Sequence, residues 1–171
     1  MKVKMYTDGG SRGNPGPSAV GILICNEQDE TLLEHFETLG EATNNVAEYK
    51  ALIEGLNCAK ELGATELKCF LDSELVVKQL NGVYKLKNYN MQKLFNEVQK
   101  SARPFQKISY THLRREEDGM RRADQLVNFA LDEAKRKDQL YSSSPRGGRQ
   151  GWGAHKVNPS PLSSPARGEE K

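Results

Sequence analysis

The sequence is short of the residues that mark several common protein classes. Among 171 residues there are three cysteines, three histidines and one tryptophan. Cys25, Cys58 and Cys69 form no CxxC pair and have no histidine beside them in the chain. That excludes a zinc ribbon, a thioredoxin-like redox site and a disulfide framework, and leaves small buried hydrophobes in a reducing compartment. No apolar run approaches the ~20 residues that a membrane span needs. The start, MKVKMYTDGG, lacks the apolar core of a secretory signal. The expectation is a soluble cytoplasmic protein with no membrane partner.

Charge is balanced overall, at +2, but unevenly placed. Residues 1–77 carry 6 basic and 13 acidic groups; residues 78–122 carry 11 basic and 4 acidic. A basic flank beside an acidic region suits a polyanion partner, although solvated lysine faces give the same pattern. Residues 139–171 are rich in Ser, Pro, Gly and Arg and lose hydrophobic periodicity. They are expected to be a disordered tail on a single domain of residues 1–138. Trp152 and His155 fall in that tail.

Within the first 138 residues, KVKMYT alternates as a strand, AVGILIC (about 20–26) is a second and TLLEHFETL (31–39) a third. Short turns between them predict an antiparallel meander. NNVAEYKALIEGLNCAKEL has helical spacing and stops at Gly63. ELKCFLD reads as a strand, SELVVKQLN and YNMQKLFNEVQKSA as helices, QKISYTHL as a strand and ADQLVNFALDEAKRK as a closing helix. The order βββ-α-β-α-α-β-α predicts an α/β fold. Its sheet is mixed and five-stranded, three strands antiparallel and two parallel to the first, with helices on its faces. His35 lies inside the third strand and reads as structural.

Four acids stand out. Asp8 ends the first strand and Asp72 the fourth, where ligands of α/β sheets gather. Glu48 shares a helix face with Leu52, Gly55 and Ala59. Asp124 opens the last helix and shares a face with Val127 and Leu131. Each alone has a duller reading: a turn cap for Asp8, a capping box with Asn45 for Glu48, and favourable helix N-termini for Asp72 and Asp124. Together they put four carboxylates at one sheet edge. Such a cluster repels itself unless a cation is present, and oxygen-only ligands suit Mg²⁺ or Mn²⁺ rather than zinc.

The motifs YTDGGSRGNPGP, TNNVAEYKALIEGL, FLDSELVVKQLNG and TH followed by RRADQLVNFA, in this order, resemble those of ribonuclease H type 1 over residues 2 to about 137. The resemblance implies the ribonuclease H fold and an endonuclease that cuts the RNA strand of an RNA–DNA hybrid, leaving 5′-phosphate and 3′-hydroxyl ends. It puts the catalytic metal ligands on Asp8, Glu48, Asp72 and Asp124, with two Mg²⁺ ions about 3.5–4 Å apart and Mn²⁺ as a substitute. It puts substrate contacts on Gly9, Gly10, Asn14, Thr43, Asn44 and Asn45. Glycines there let the backbone approach the hybrid's minor groove, where 2′-hydroxyls distinguish RNA. A flexible turn for the glycines and a helix cap for the asparagines are the alternatives. His112 matches a histidine that assists proton transfer or product release.

Two departures stand beside the resemblance. The stretch from Asp72 to His112 has no room for the family's tryptophan-containing basic protrusion, so the chain resembles a short form. Lys85, Lys87 and Lys93 with Tyr84 and Tyr89 are candidates for the DNA-strand contact instead. The segment HLRREEDGMRRAD is longer than the family pattern and carries Glu116, Glu117 and Asp118 as competing acids. The function expected is a monomeric ribonuclease H; the alternative is a catalytically impaired hybrid-binding module of the same fold.

Overall fold

Alternating apolar residues in the first third build three long strands: β1 (Lys2–Ser11), β2 (Gly16–Cys25) and β3 (Thr31–Ala42). The computed structural model describes residues 1–142 and 154–157 of the chain. Val3, Met5 and Thr7 of β1 are buried, while Lys4 and Tyr6 between them are half-exposed, the period of two that a sheet covered more fully on one face requires. Helix α1 (Asn44–Glu61) follows, then β4 (Glu66–Leu71), α2 (Glu74–Leu80), α3 (Tyr89–Ala102), β5 (Lys107–His112) and α4 (Asp118–Ser142). The strand order β5–β4–β1–β2–β3 gives the expected five-stranded mixed sheet. β1–β2 and β2–β3 are antiparallel; β1–β4 and β4–β5 are parallel. No helix stands between α2 and α3 among the described residues.

Helices α1 and α3 cover one face of the sheet, and Leu52, Leu56, Tyr49 and Val98 pack there against Met5, Ile22 and Leu71. Helix α4 covers part of the other face, with Leu126, Val127, Ala130 and Leu131 against Ala19 and Phe36. An Arg122 fork donates to both oxygens of Glu34 at 2.6 and 2.8 Å, fixing α4 to β3. Both helices come unusually close to the strands. A Cβ at Gly9 would lie 2.1 Å from the Ala47 carbonyl oxygen of α1, and one at Gly21 would lie 2.3 Å from the Ala123 carbonyl oxygen of α4. Gly9 therefore has a packing reason to be glycine, beyond access for a substrate.

Three boundaries differ from expectation. β1 runs on past Asp8 to Ser11, because its partner β2 starts early and pairs Asp8 with Gly21 and Ser11 with Ser18. Helix α4 begins at Asp118, so Asp124 lies in its second turn rather than opening it. The extra residues before Asp124 are thus mostly helix: Arg121 pairs with Asp118 at 3.2 Å and donates to the Glu116 carbonyl at 2.6 Å. The third concerns the tail. Residues 139–142 continue α4, and Ala154–Val157 form β6, antiparallel on the outer edge of β3 through Glu34–Glu37. An edge strand offers unpaired backbone groups to any extended segment, which composition alone does not reveal. The remainder of the expected disordered tail, Trp152 included, lies outside the described residues.

Candidate active site

The parallel register delivers the first two carboxylates. Thr7 pairs with Leu71 across β1–β4, and the next residue on each strand is acidic: Asp8 and Asp72. Leu71 also pairs with His112 on β5. Ser73 then caps α2 by accepting from the Val76 N–H at 3.3 Å, which turns the chain sharply after Asp72.

Glu48 arrives from α1. Thr43 is the N-cap, accepting from the Val46 N–H at 3.3 Å, so Asn45 and Glu48 form no capping box. Glu48 instead sits five residues into the helix, facing the sheet and only 7% exposed. The missing Cβ of Gly9 sets how deep that turn can settle. One ligand oxygen each from Asp8, Glu48 and Asp72 lies within 4.8 Å of the others. Asp124 comes from α4, lowered onto the sheet over Gly21, and adds its charge to the environment of Asp8.

The electrostatics follow from this crowding. Burial pushes the Asp8 carboxyl well above the usual range; the negative charges of Asp72 and Asp124 push the same way, and Arg115 opposes them. Glu48 is also pushed well up, first by burial and then by Asp8 and Asp72, with the Gly9 backbone N–H pulling slightly down. Asp8 Oδ1 and Glu48 Oε1 are buried and have no hydrogen-bond partner. Buried acceptors left in that state are costly, at roughly 1–3 kcal/mol each. Three convergent carboxylates, two with orphaned oxygens and with no imidazole or thiolate in their group, fit a hard divalent cation.

Sequence reasoning missed Arg115. Its Nη2 lies 2.8 Å from Asp72 Oδ2 and its Nε donates to the same oxygen at 3.0 Å; Nε is 3.9 Å from Asp124 Oδ1. The guanidinium stands where positive charge is needed, and hydrogen bonding to Asp72 raises its own pKa. Its only signal in the sequence was the RR pair in HLRREEDG, masked by the surrounding acids. Glu116, Glu117 and Asp118 do not join the carboxylate cluster.

Asp8, Glu48 and Asp124 border an open cleft of about 390 Å³, lined also by Gly10, Arg12, Asn44 and Arg115. The candidate substrate contacts gather on its rim. Asn14 Oδ1 accepts from the Asn44 N–H at 3.0 Å, and Asn44 Oδ1 accepts from the Ser11 N–H at 2.9 Å. Each side-chain oxygen is therefore engaged in latching the β1–β2 hairpin to the start of α1, and the amide NH₂ groups are the free donors. Asn45 is exposed beside them, and Gly10 is half-buried while Gly9 is buried beneath α1. His112 ends β5 and is exposed. Farther along, Tyr84 and Tyr89 are 47% and 72% exposed, with Lys78 and Lys93 set over their rings at 5.2 and 5.9 Å.

Residues 6–130 match the family described as "Reverse transcriptase-like". The bifunctional protein Rv2228c of Mycobacterium tuberculosis is 44% identical over 135 residues, covering 78% of this chain and 36% of the relative. The chain thus spans about a third of the length of these mycobacterial relatives. Ribonuclease HI of Halobacterium salinarum is 39% identical over 133 residues, 78% of this chain and 66% of that protein. Among solved structures, the RNase H1 of Halobacterium salinarum superposes with a TM-score of 0.75 at 38% identity, over 78% of this chain and 99% of that one. LC11-RNase H1, solved in complex with an RNA/DNA hybrid, has a TM-score of 0.73 at 40% identity over 78% and 99%.

Proposed function

The chain belongs to the type 1 ribonuclease H family, and on that premise we propose that it is a metal-dependent endoribonuclease that hydrolyses the RNA strand of RNA–DNA hybrids. The observation that carries the proposal is the convergence of Asp8, Glu48 and Asp72, with Asp124 beside them, at an open cleft that Asp8, Glu48 and Asp124 line. All four acids come from one chain, so a monomer suffices. Three buried free thiols suit a cytoplasmic, reducing setting.

In this reading Asp8, Glu48, Asp72 and Asp124 hold two divalent cations, Mg²⁺ or in its place Mn²⁺. When bound, such ions supply activation of the attacking water and stabilisation of the leaving oxygen. Water adds across the P–O3′ bond; the proton goes to the 3′-oxygen and the phosphate stays on the 5′ end. With a cation held by these acids, Arg115 would no longer be needed to neutralise Asp72, and its fork would be available to a phosphate oxygen. The NH₂ groups of Asn14 and Asn44, with Asn45 and the backbone at Gly9 and Gly10, donate to or admit the 2′-hydroxyls of the RNA strand. Thr43 caps α1 and its hydroxyl lies at the helix N-terminus, a favourable place for a phosphate. His112 assists proton transfer or product release from its place at the end of β5. The exposed Tyr84–Lys93 segment contacts the DNA strand by stacking and charge.

The alternative, a hybrid-binding module without catalysis, rests on the long segment before Asp124; α4 takes in much of that segment, and the influence of Asp124 on Asp8 favours the catalytic reading. The discriminating test offers one labelled strand as hybrid RNA, single-stranded RNA, duplex RNA and duplex DNA, each with Mg²⁺, Mn²⁺ or chelator. Metal-dependent cutting of hybrid RNA alone is expected. Cutting of duplex DNA, or hybrid binding without cutting, would overturn the proposal.

A further inference from the structure

Away from the carboxylate cluster, the fold brings together residues that stand far apart in sequence. His35 and Glu37 are two positions apart on β3 and so share a face. Glu54 and Cys58 are one helical turn apart on α1, which lies under that face. His35 Nε2 is 3.1 Å from Glu37 Oε1 and 3.6 Å from Glu54 Oε2; Cys58 Sγ is 3.9 Å from Glu54 Oε2. One ligand atom each from His35, Glu54 and Cys58 lies within 4.8 Å of the others. His35 is 2% exposed, and its Nδ1 is buried with no hydrogen-bond partner.

We propose that His35, Glu54 and Cys58 form a second metal site, selective for a zinc-like transition ion, that ties β3 to α1, with Glu37 beside the imidazole. The donor set is the basis for selectivity. Imidazole, thiolate and carboxylate together suit Zn²⁺ or Co²⁺ and not Mg²⁺, the reverse of the oxygen-only cluster. The spacing fits as well. Ligands at tetrahedral bond lengths of about 2.0–2.3 Å stand roughly 3.3–3.8 Å apart, and the His35–Glu54 and Cys58–Glu54 contacts of 3.6 and 3.9 Å lie close to that range. His35 Nε2 faces both Glu37 and Glu54 and is the ring nitrogen set to take the ion. Cys58 is the only one of the three cysteines with this company; Cys25 and Cys69 belong to no such group among the described residues.

The test uses the full chain with excess Mg²⁺ and Co²⁺ as the probe. A thiolate-to-cobalt charge-transfer band in the near ultraviolet reports sulfur ligation, which the oxygen-only acids cannot give. The band is expected to saturate at one equivalent, to persist in Cys25→Ser, Cys69→Ser and Asp8→Asn, and to vanish in Cys58→Ser. One equivalent of Zn²⁺ is expected to displace it, and Glu54→Gln and His35→Gln to weaken Co²⁺ at least tenfold. Glu54 is half-buried, so Glu54→Gln carries the test should Cys58→Ser fail to fold. Absence of the band, its survival in Cys58→Ser, or undiminished affinity in Glu54→Gln would refute the site and leave a buried His35–carboxylate contact.

Discussion

Replacing Gly9 with alanine probes how the catalytic geometry is built. The new Cβ would meet the Ala47 carbonyl oxygen at 2.1 Å, its carbon at 2.2 Å and the Glu48 nitrogen at 2.6 Å. The obstruction is backbone, so no rotamer relieves it. Restoring an ordinary contact requires the first turns of α1 to lift by about 1 Å, carrying Glu48 away from Asp8 and Asp72. Overpacking of this kind costs ~1–3 kcal/mol, and the upper end applies where helix backbone must move. For a chain of this size, ~3 kcal/mol lowers the melting midpoint by about 6–12 °C. A 1 Å displacement of a catalytic group costs on the order of 10²-fold in rate. Gly10→Ala is the comparison: its Cβ would meet only the Val127 Cγ1 at 3.2 Å, a side chain that can yield. Its expected stability cost is about 1 kcal/mol or less. Thermal melting and single-turnover hybrid cleavage read both variants. Near-native activity in Gly9→Ala, or a larger loss in Gly10→Ala than in Gly9→Ala, would refute the helix-seating role and return that glycine to substrate contact.

Other expectations follow from the charges. Asp8 and Glu48 have pKa values raised by folding, so the folded state holds protons more tightly than the unfolded chain, whose carboxyls titrate near ~4. Metal-free stability is therefore greatest below that value and falls as pH rises through the raised folded pKa values; Glu48→Gln should flatten this fall and increase metal-free stability at pH 7, as read by urea titrations in chelator. Arg115→Gln should lower the metal-free stability by up to about 1 kcal/mol, since the arginine is largely exposed. Saturating Mg²⁺ should erase that difference, and a loss that persists would mean Arg115 serves something other than neutralisation. His112→Ala should slow cleavage by about 10²-fold without changing hybrid affinity, the low end of what a proton-transfer group contributes; equal rates would remove His112 from the mechanism.

Much of the architecture was legible because it rests on local periodicity. The β1 alternation and the α1 spacing with its stop at Gly63 each report their own element, and the short turns dictate the meander. The carboxylates were legible one by one because parallel strands run in register, so the acids that follow Thr7 and Leu71 had to meet. What escaped depends on contacts between distant segments. Arg115 gains its role only when α4 starts at Asp118 and folds the preceding loop over Asp72. Gly9 reads as a loop glycine until α1 is seen resting on it. β6 gains its partner from the open edge of β3, not from its own composition. The His35–Cys58 pairing spans 23 positions, which is why the cysteines looked isolated from histidine in the chain.

The most direct test of the central claim compares wild type with Asp8→Asn, Glu48→Gln, Asp72→Asn and Asp124→Asn on a labelled RNA–DNA hybrid, recording cleavage, hybrid affinity and Mg²⁺ binding together. If the four acids form one cation-holding centre, each variant folds and binds hybrid, while cleavage and Mg²⁺ affinity fall together. Cleavage at the wild-type rate in any of the four, or lost cleavage with Mg²⁺ binding intact in all of them, would contradict it.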